Sequence, residues 1–256
     1  MKARGLLLAS GAAAAAGVGL CHAAPAATTW RGLRCTLSPR LAGIGDADHV
    51  ALTFDDGPDP AATPGFLDEL DRLGWRATFF LLGSMVRAAP GLAAEIVARG
   101  HEVGVHGDAH VSHLHRRRSE VIGDAQRSLD TIAAATGADL RWFRPPYGTL
   151  SGGSIAAAHR LGLETVLWTT WGRDWRPVAT ARSIVEDVAR GLRPGATVLL
   201  HDSDCTSSPG SWRATLASLD GPPAKSGWVM IRGTWVFSSY GRLPFCRRPW
   251  DPAISP

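Results

Sequence analysis

From about residue 48 the chain alternates short β-rich apolar runs with longer stretches whose apolar positions recur at helical spacing. Strands are predicted at His49 to Phe54 (HVALTF), Ala77 to Leu82 (ATFFLL), Glu102 to Val105 (EVGV), Trp142 to Arg144, Thr165 to Trp168 and Thr197 to Leu200 (TVLL), each bounded by Gly, Pro or polar residues. Helices are predicted near 63–73, 90–99, 118–136, 153–161, 180–191 and 212–219. In the third of these, Ile122, Ala125, Leu129, Ile132 and Ala133 repeat with helical spacing. Strands joined by helices of this length form parallel βαβ units, so the fold class is α/β. No internal repeat or long low-complexity linker divides the chain, which reads as one domain after a short leader.

The first 27 residues break the pattern. Lys2 and Arg4 precede an apolar, Ala/Gly-rich run from Gly5 to Cys21, and small residues follow in His22 to Ala27 (HAAPAA). That is the layout of a secretory signal peptide, and cleavage after Ala26 or Ala27 fits it. The run is marginal for a membrane span, which needs roughly 20 apolar residues. Export to the cell envelope or outside is therefore the expectation, with an uncleaved membrane anchor through residues 5–21 as the alternative. Leu20 is too bulky for lipoprotein cleavage before Cys21. Residues 28–47 read as a linker.

Composition narrows the partners. A 256-residue chain with 45% hydrophobic and 20% charged residues has a sizeable core, which argues against wholesale disorder or a fibrous repeat. The formal charge is +4, and all but two of the basic residues, Lys2 and Lys225, are arginines scattered without a dense run. No nucleic-acid partner is expected, because that footprint needs clustering on one face. Cys21, Cys35, Cys205 and Cys246 are dispersed and include no CxxC pair, against a cysteine zinc site. Cys35 with Cys246 could tie the ends of the mature domain in an oxidising compartment, but isolated thiols are the simpler expectation.

Reactive residues gather at the C-terminal ends of the predicted strands, where α/β folds place their sites. Thr53 to Pro58 (TFDDGP) follows the first strand. Adjacent carboxylates in a strand point to opposite sides, so Asp55 and Asp56 share a site only if the chain turns sharply, and Gly57-Pro58 supplies a turn. The bland reading is a solvated acidic turn. His106 and His110 follow the third strand at i, i+4, a spacing that can meet one metal ion if the segment is helical or tightly looped. The spacing is weak evidence alone in a chain with nine histidines, and His113 and His115 read as solvated. Three later strand ends carry Phe143 to Gly148 (FRPPYG), Gly172 to Trp175 (GRDW) and Leu199 to Asp202 (LLHD).

This ordered set of five, across roughly residues 48 to 205, closely resembles the polysaccharide deacetylases, the NodB-homology domain of carbohydrate esterase family 4. The resemblance implies a distorted, incomplete (β/α)7-type barrel with the motifs on one rim. It implies one divalent metal ion, zinc before cobalt, nickel or manganese, held by Asp56, His106 and His110. Asp55 matches the family's general base, His201 its general acid, Asp174 the carboxylate that charges His201, and Arg144 the partner that keeps Asp55 ionised. The Tyr147 backbone N–H matches an oxyanion donor, and Trp175 with Leu199 match the walls of an acetyl pocket. The implied activity is removal of N-acetyl groups from an N-acetylated glycan with release of acetate. A core salt bridge for Arg144 and core packing for Trp175 are the bland alternatives.

Two departures stand out. The family's second motif usually carries Ser or Thr after the first His and often an aromatic residue next; here Gly107 and Asp108 stand there. Asp108 could tune metal affinity or face solvent. The C-terminus also differs: the helix near 212 meets Gly221-Pro222-Pro223 early, Gly227 to Ile231 could supply a last strand and close a domain spanning 48–231, and 232–256 is a tail of unknown role. An amidohydrolase of the same fold acting on a small N-acyl or cyclic amide, and a non-catalytic glycan-binding relic, remain the other readings.

Overall fold

The computed structural model describes residues 17, 19–45 and 50–219, and the backbone of 228–231 and 234–237. In chain order the elements are α1 (Arg31–Leu37), β1 (Ala51–Asp55), α2 (Thr63–Leu73), β2 (Thr78–Leu81), α3 (Gly83–Ala88), α4 (Pro90–Ala98), β3 (Glu102–Val105), α5 (Arg118–Thr136), β4 (Trp142–Phe143), α6 (Gly152–Leu161), β5 (Glu164–Thr165), β6 (Thr170–Trp171), α7 (Ala181–Ala189), β7 (Thr197–His201) and α8 (Trp212–Leu219). Punctuation in the sequence sets several ends. Pro64 lies in the first turn of α2, left-handed Gly74 and Gly137 stop α2 and α5, and Ser151 caps α6.

Seven parallel strands form one sheet in the order β5-β4-β3-β2-β1-β7-β6. β5 and β6 are neighbours in sequence yet occupy opposite edges, separated only by residues 166–169. The five residue steps from Thr165 to Thr170 span at most about 18 Å, so the sheet curls until its edges approach each other, giving the incomplete (β/α)7 barrel. This corrects the single strand expected at 165–168. The Val166 N–H still pairs toward β4 (Phe143 O, 3.0 Å) and the Thr169 N–H toward β7 (Thr197 O, 2.9 Å), while Leu167 N–H turns to Leu41 O at 2.8 Å.

Leu41 belongs to the stretch expected as a linker, and that stretch is bonded to the β5–β6 connection and to the start of β7. Arg34, only 3% exposed, donates to the carbonyls of Thr28 and Thr29 at 3.0 Å each and of Trp168 at 2.8 Å. Its guanidinium lies 5.3 Å from the Trp168 ring centroid. Thr197 Oγ1 donates to Gly43 O and the Gly45 N–H donates to Gly195 O. A scattered polar sequence gave no sign of this packing, because it works through backbone carbonyls and one buried arginine.

The main core lies between sheet and helices. Phe54 has its ring centroid 5.1 Å from both Phe66 and Phe79, and Leu67, Leu70, Val121, Ala125 and Ile132 complete the α2 and α5 contacts. Each of these side chains other than that of Ala125 contributes roughly 1.5–3 kcal/mol by burial. α3, which the apolar pattern did not predict, links two strand-end loops: the N–H groups of Leu82, Gly83 and Ser84 donate to the carbonyls of Gly57, Gly107 and Asp108.

At the C-terminus, β8 (Trp228–Ile231) pairs antiparallel with β9 (Thr234–Phe237), and among the described residues this hairpin is separate from the seven-stranded sheet. Of Gly227 to Ile231, expected as a possible last strand of the barrel, the described residues 228–231 pair in this hairpin, and Gly227 lies outside the described residues. The remainder of 232–256, His49 and most of the leader lie outside the described residues. Among those described, no helix is long and apolar enough to cross a membrane.

Candidate active site

The parallel register places Asp55 opposite His201 across β1 and β7. One residue on, Asp56 takes a left-handed backbone (φ 78°), which turns its carboxylate back to the rim that Asp55 faces. Gly57 makes the turn possible in space as well: a Cβ there would lie 2.5 Å from Asp202 Oδ2. The solvated-turn reading fails, since Asp55 and Asp56 are both buried.

His106 and His110 meet Asp56 without a helix between them. Gly107, at φ 96°, bends the segment, and buried Asp124 accepts the Asp108 N–H at 2.8 Å. His106 Nε2 and His110 Nε2 stand 3.3 and 3.4 Å from Asp56 Oδ1. His106 Nδ1 lies 2.8 Å from Arg144 O. A carbonyl oxygen can only accept, so Nδ1 carries a hydrogen and Nε2 is the ring atom left facing Asp56. Burial pushes the His110 pKa down to about 4 despite the neighbouring Asp56 charge, so its ring is neutral near pH 7. Burial opposes the Asp56 charge too, but His106, His201 and His110 outweigh it and hold the carboxyl well below the usual range.

One donor atom from each of Asp56, His106 and His110 lies within 4.8 Å of the others. Asp56 Oδ1 is buried with no hydrogen-bond partner. A carboxylate oxygen with nothing to accept, beside two imidazole nitrogens, is the chemistry of a divalent metal site with room left for other ligands. The residues present fit such an ion.

Arg144 is fully buried and donates to Asp55 Oδ1 at 2.7 Å, Thr53 Oγ1 at 2.8 Å and the carbonyls of Val166 and Leu167. The core salt bridge and the partner of Asp55 are thus the same contact. Across the rim, Asp174 Oδ1 lies 2.9 Å from His201 Nδ1, and its Oδ2 accepts from the His201 N–H and from Thr215 Oγ1. Burial opposes charge on His201, yet Asp174, with Asp56 and Asp55, raises its pKa to about 10.

These groups open into a cavity of about 300 Å³. Trp175 and Leu199 line it, and so do Trp168, Trp171, Tyr147 and Ser207. The Trp171 ring centroid is 5.7 Å from Trp168 and 5.0 Å from Trp175. Tyr147 (φ 59°) sets its ring edge-on to His110 at 4.3 Å. Trp168 and Trp171 were readable as the start of an aromatic run ending in the GRDW motif; Thr53, Thr206, Ser207 and Thr215 carried no such signal.

Two expectations change. Asp108 neither joins the metal cluster nor stands free in solvent, because Arg87 (2.6 Å) and Arg127 (3.5 Å) take its carboxylate. His113 is buried rather than solvated, stacked 6.0 Å from Phe143 with Nδ1 3.2 Å from Ser154 Oγ, and burial lowers its pKa to about 4. His115 is exposed, as expected.

The sequence profile of polysaccharide deacetylases matches residues 42–166. The chain is 40% identical over 154 residues to a chitooligosaccharide deacetylase of Bradyrhizobium sp., covering 60% of this chain and 70% of that protein. It is 36% identical over 172 residues to a peptidoglycan-N-acetylglucosamine deacetylase of Listeria monocytogenes, covering 67% of this chain but only 34% of that protein. Among solved structures, a family 4 carbohydrate esterase pseudoenzyme from Bacillus anthracis superposes with a TM-score of 0.61 at 29% identity, over 68% of this chain and 58% of that one. The chain belongs to the polysaccharide deacetylase family, the NodB-homology group of family 4 carbohydrate esterases.

Proposed function

We propose that this protein is an exported, metal-dependent hydrolase that removes N-acetyl groups from an N-acetylated glycan and releases acetate. The observation that carries the reading is the convergence of Asp55, Asp56, His106, His110 and His201 on one rim, with Asp55, His106 and His201 each held by an orienting partner.

Asp56, His106 and His110 would hold one divalent ion, zinc before cobalt, nickel or manganese. Such an ion, when bound, polarises a carbonyl and makes water more acidic. Asp55, fixed by Arg144, takes a proton from the water whose oxygen attacks the acetamide carbon. The Tyr147 N–H donates to the oxygen on which charge develops. His201, kept as an imidazolium by Asp174, gives its proton to the nitrogen as the C–N bond breaks, leaving acetate and a free amine. Trp175 and Leu199 enclose the acetyl methyl, and Trp168, Trp171 and Tyr147 offer aromatic faces to a sugar.

The likeness to a pseudoenzyme gives the non-catalytic glycan binder a specific observation in its favour. Against it stands the intact set, since a binding relic needs neither a base gripped by Arg144 nor an acid charged by Asp174. Acetate release measured from N-acetylated chito-oligomers, from peptidoglycan and from small N-acyl amides tests the proposal. Acetate from either glycan supports it. Turnover confined to small amides selects the amidohydrolase, and none from any substrate by metal-loaded protein selects the binder.

A further inference from the structure

Asp56 must present one chosen oxygen to the histidines, and nothing in the TFDDGP motif itself fixes which. The selector comes from the loop after β7. Thr206 Oγ1 donates to Asp56 Oδ2 at 2.6 Å, and Oδ2 is thereby occupied while Oδ1 is left facing the two Nε2 atoms. A carboxylate swinging about its Cβ–Cγ bond would lose this hydrogen bond, so the hydroxyl locks the carboxylate plane.

The loop is itself held. Cys205 N–H donates to Ser203 Oγ at 3.1 Å, Ser207 N–H to Asp204 O at 3.0 Å and Ser208 N–H to Trp175 O at 3.2 Å. Thr206 is therefore tied on one side to the pocket wall and on the other to the site, although its own residue surface is exposed.

We propose that Thr206 is a positioning residue that orients Asp56 for metal binding; this rests on Asp56, His106 and His110 being the metal set. Partners one bond removed from a metal ligand commonly contribute about 10- to 100-fold in affinity. Thr206→Val removes the donor and keeps the shape, whereas Thr206→Ser keeps the hydroxyl.

The test titrates the zinc-loaded full chain with a chelator of known affinity, for wild type, Thr206→Val, Thr206→Ser and Asp56→Ala, and records thermal unfolding of each in excess chelator. The expected result is zinc affinity weaker by about 10- to 100-fold in Thr206→Val, near wild type in Thr206→Ser, with unchanged unfolding of the zinc-free forms. Wild-type zinc affinity in Thr206→Val overturns the proposal, as does equal weakening in Val and Ser variants. A lower zinc-free melting temperature in Thr206→Val alone also overturns it, by assigning the hydrogen bond to folding. If wild type holds zinc no better than Asp56→Ala, the metal set itself is wrong, a failure distinguishable from the others.

Discussion

Asp174 grips His201 twice, with Oδ1 2.9 Å from the ring Nδ1 and Oδ2 accepting the backbone N–H at 2.8 Å. The first contact raises the ring's pKa and the second fixes where the ring stands. Asp174→Asn keeps the shape but removes the charge, so the imidazolium loses its main support. The basic limb of kcat/KM against pH should move to lower pH, with less loss of activity than in His201→Ala. The acidic limb should stay. An unmoved basic limb would detach Asp174 from the proton donor.

Asp55 and Asp56 are adjacent yet differently placed, one gripped by Arg144 and the other facing His106 and His110. Asp55→Asn should retain metal and lose about 10²- to 10⁴-fold in kcat, the range for removing a general base. Asp56→Ala should lose both metal and turnover. Metal content by atomic spectroscopy beside kcat separates them, and equal metal loss in both would contradict the division.

Much of this was legible because parallel strands end where α/β sites form. Five short motifs at the ends of β1, β3, β4, β6 and β7 marked Asp55, Asp56, His106, His110, Arg144, Asp174 and His201, and the curled sheet brings those ends to one rim. What escaped depended on contacts between distant backbone atoms. β6 is two residues long and is defined by pairing with β7, not by its own apolar pattern. Thr206 and Thr215 act through single hydroxyls on loop and helix, in segments that alternate no more strongly than ordinary surface. His113 looked solvated because its polar neighbours hide the packing of its ring on Phe143.

Arg34 supplies a stability prediction. Its guanidinium is buried and satisfies three carbonyls, among them those of Thr28 and Thr29, which remain if the leader is cut after Ala26 or Ala27. Arg34→Ala should cost about 3 kcal/mol, from charged hydrogen bonds left unmade. A chain starting at Thr28 should unfold close to the full-length temperature. Thermal unfolding of both checks this, and an unaffected Arg34→Ala would show that the stretch is dispensable.

Two buried histidines away from the rim set an acid limit. Burial, the largest cause at each, lowers His101 and His113 to about 4; Arg76 and Arg99 reinforce this at His101, whereas Asp124 opposes it at His113. Their folded pKa values lie below the unfolded value, so the unfolded chain binds more protons in between. Stability is full above about pH 6.5 and is lost as pH falls toward 4, by up to about 1.4 kcal/mol per pH unit for each. His113→Phe should flatten that slope in denaturant melts across this window, and an unchanged slope would exclude His113 as a source.

The central claim is that Asp56, His106 and His110 hold the ion on which deacetylation depends. The most direct measurement is acetate release from an N-acetylated chito-oligomer and from peptidoglycan by protein as purified, after chelation, and after zinc is restored, for wild type and Asp56→Ala. The account predicts that chelation abolishes release, that zinc restores it in wild type, and that Asp56→Ala stays inactive throughout. Release that survives chelation, or that zinc restores equally in Asp56→Ala, would contradict it.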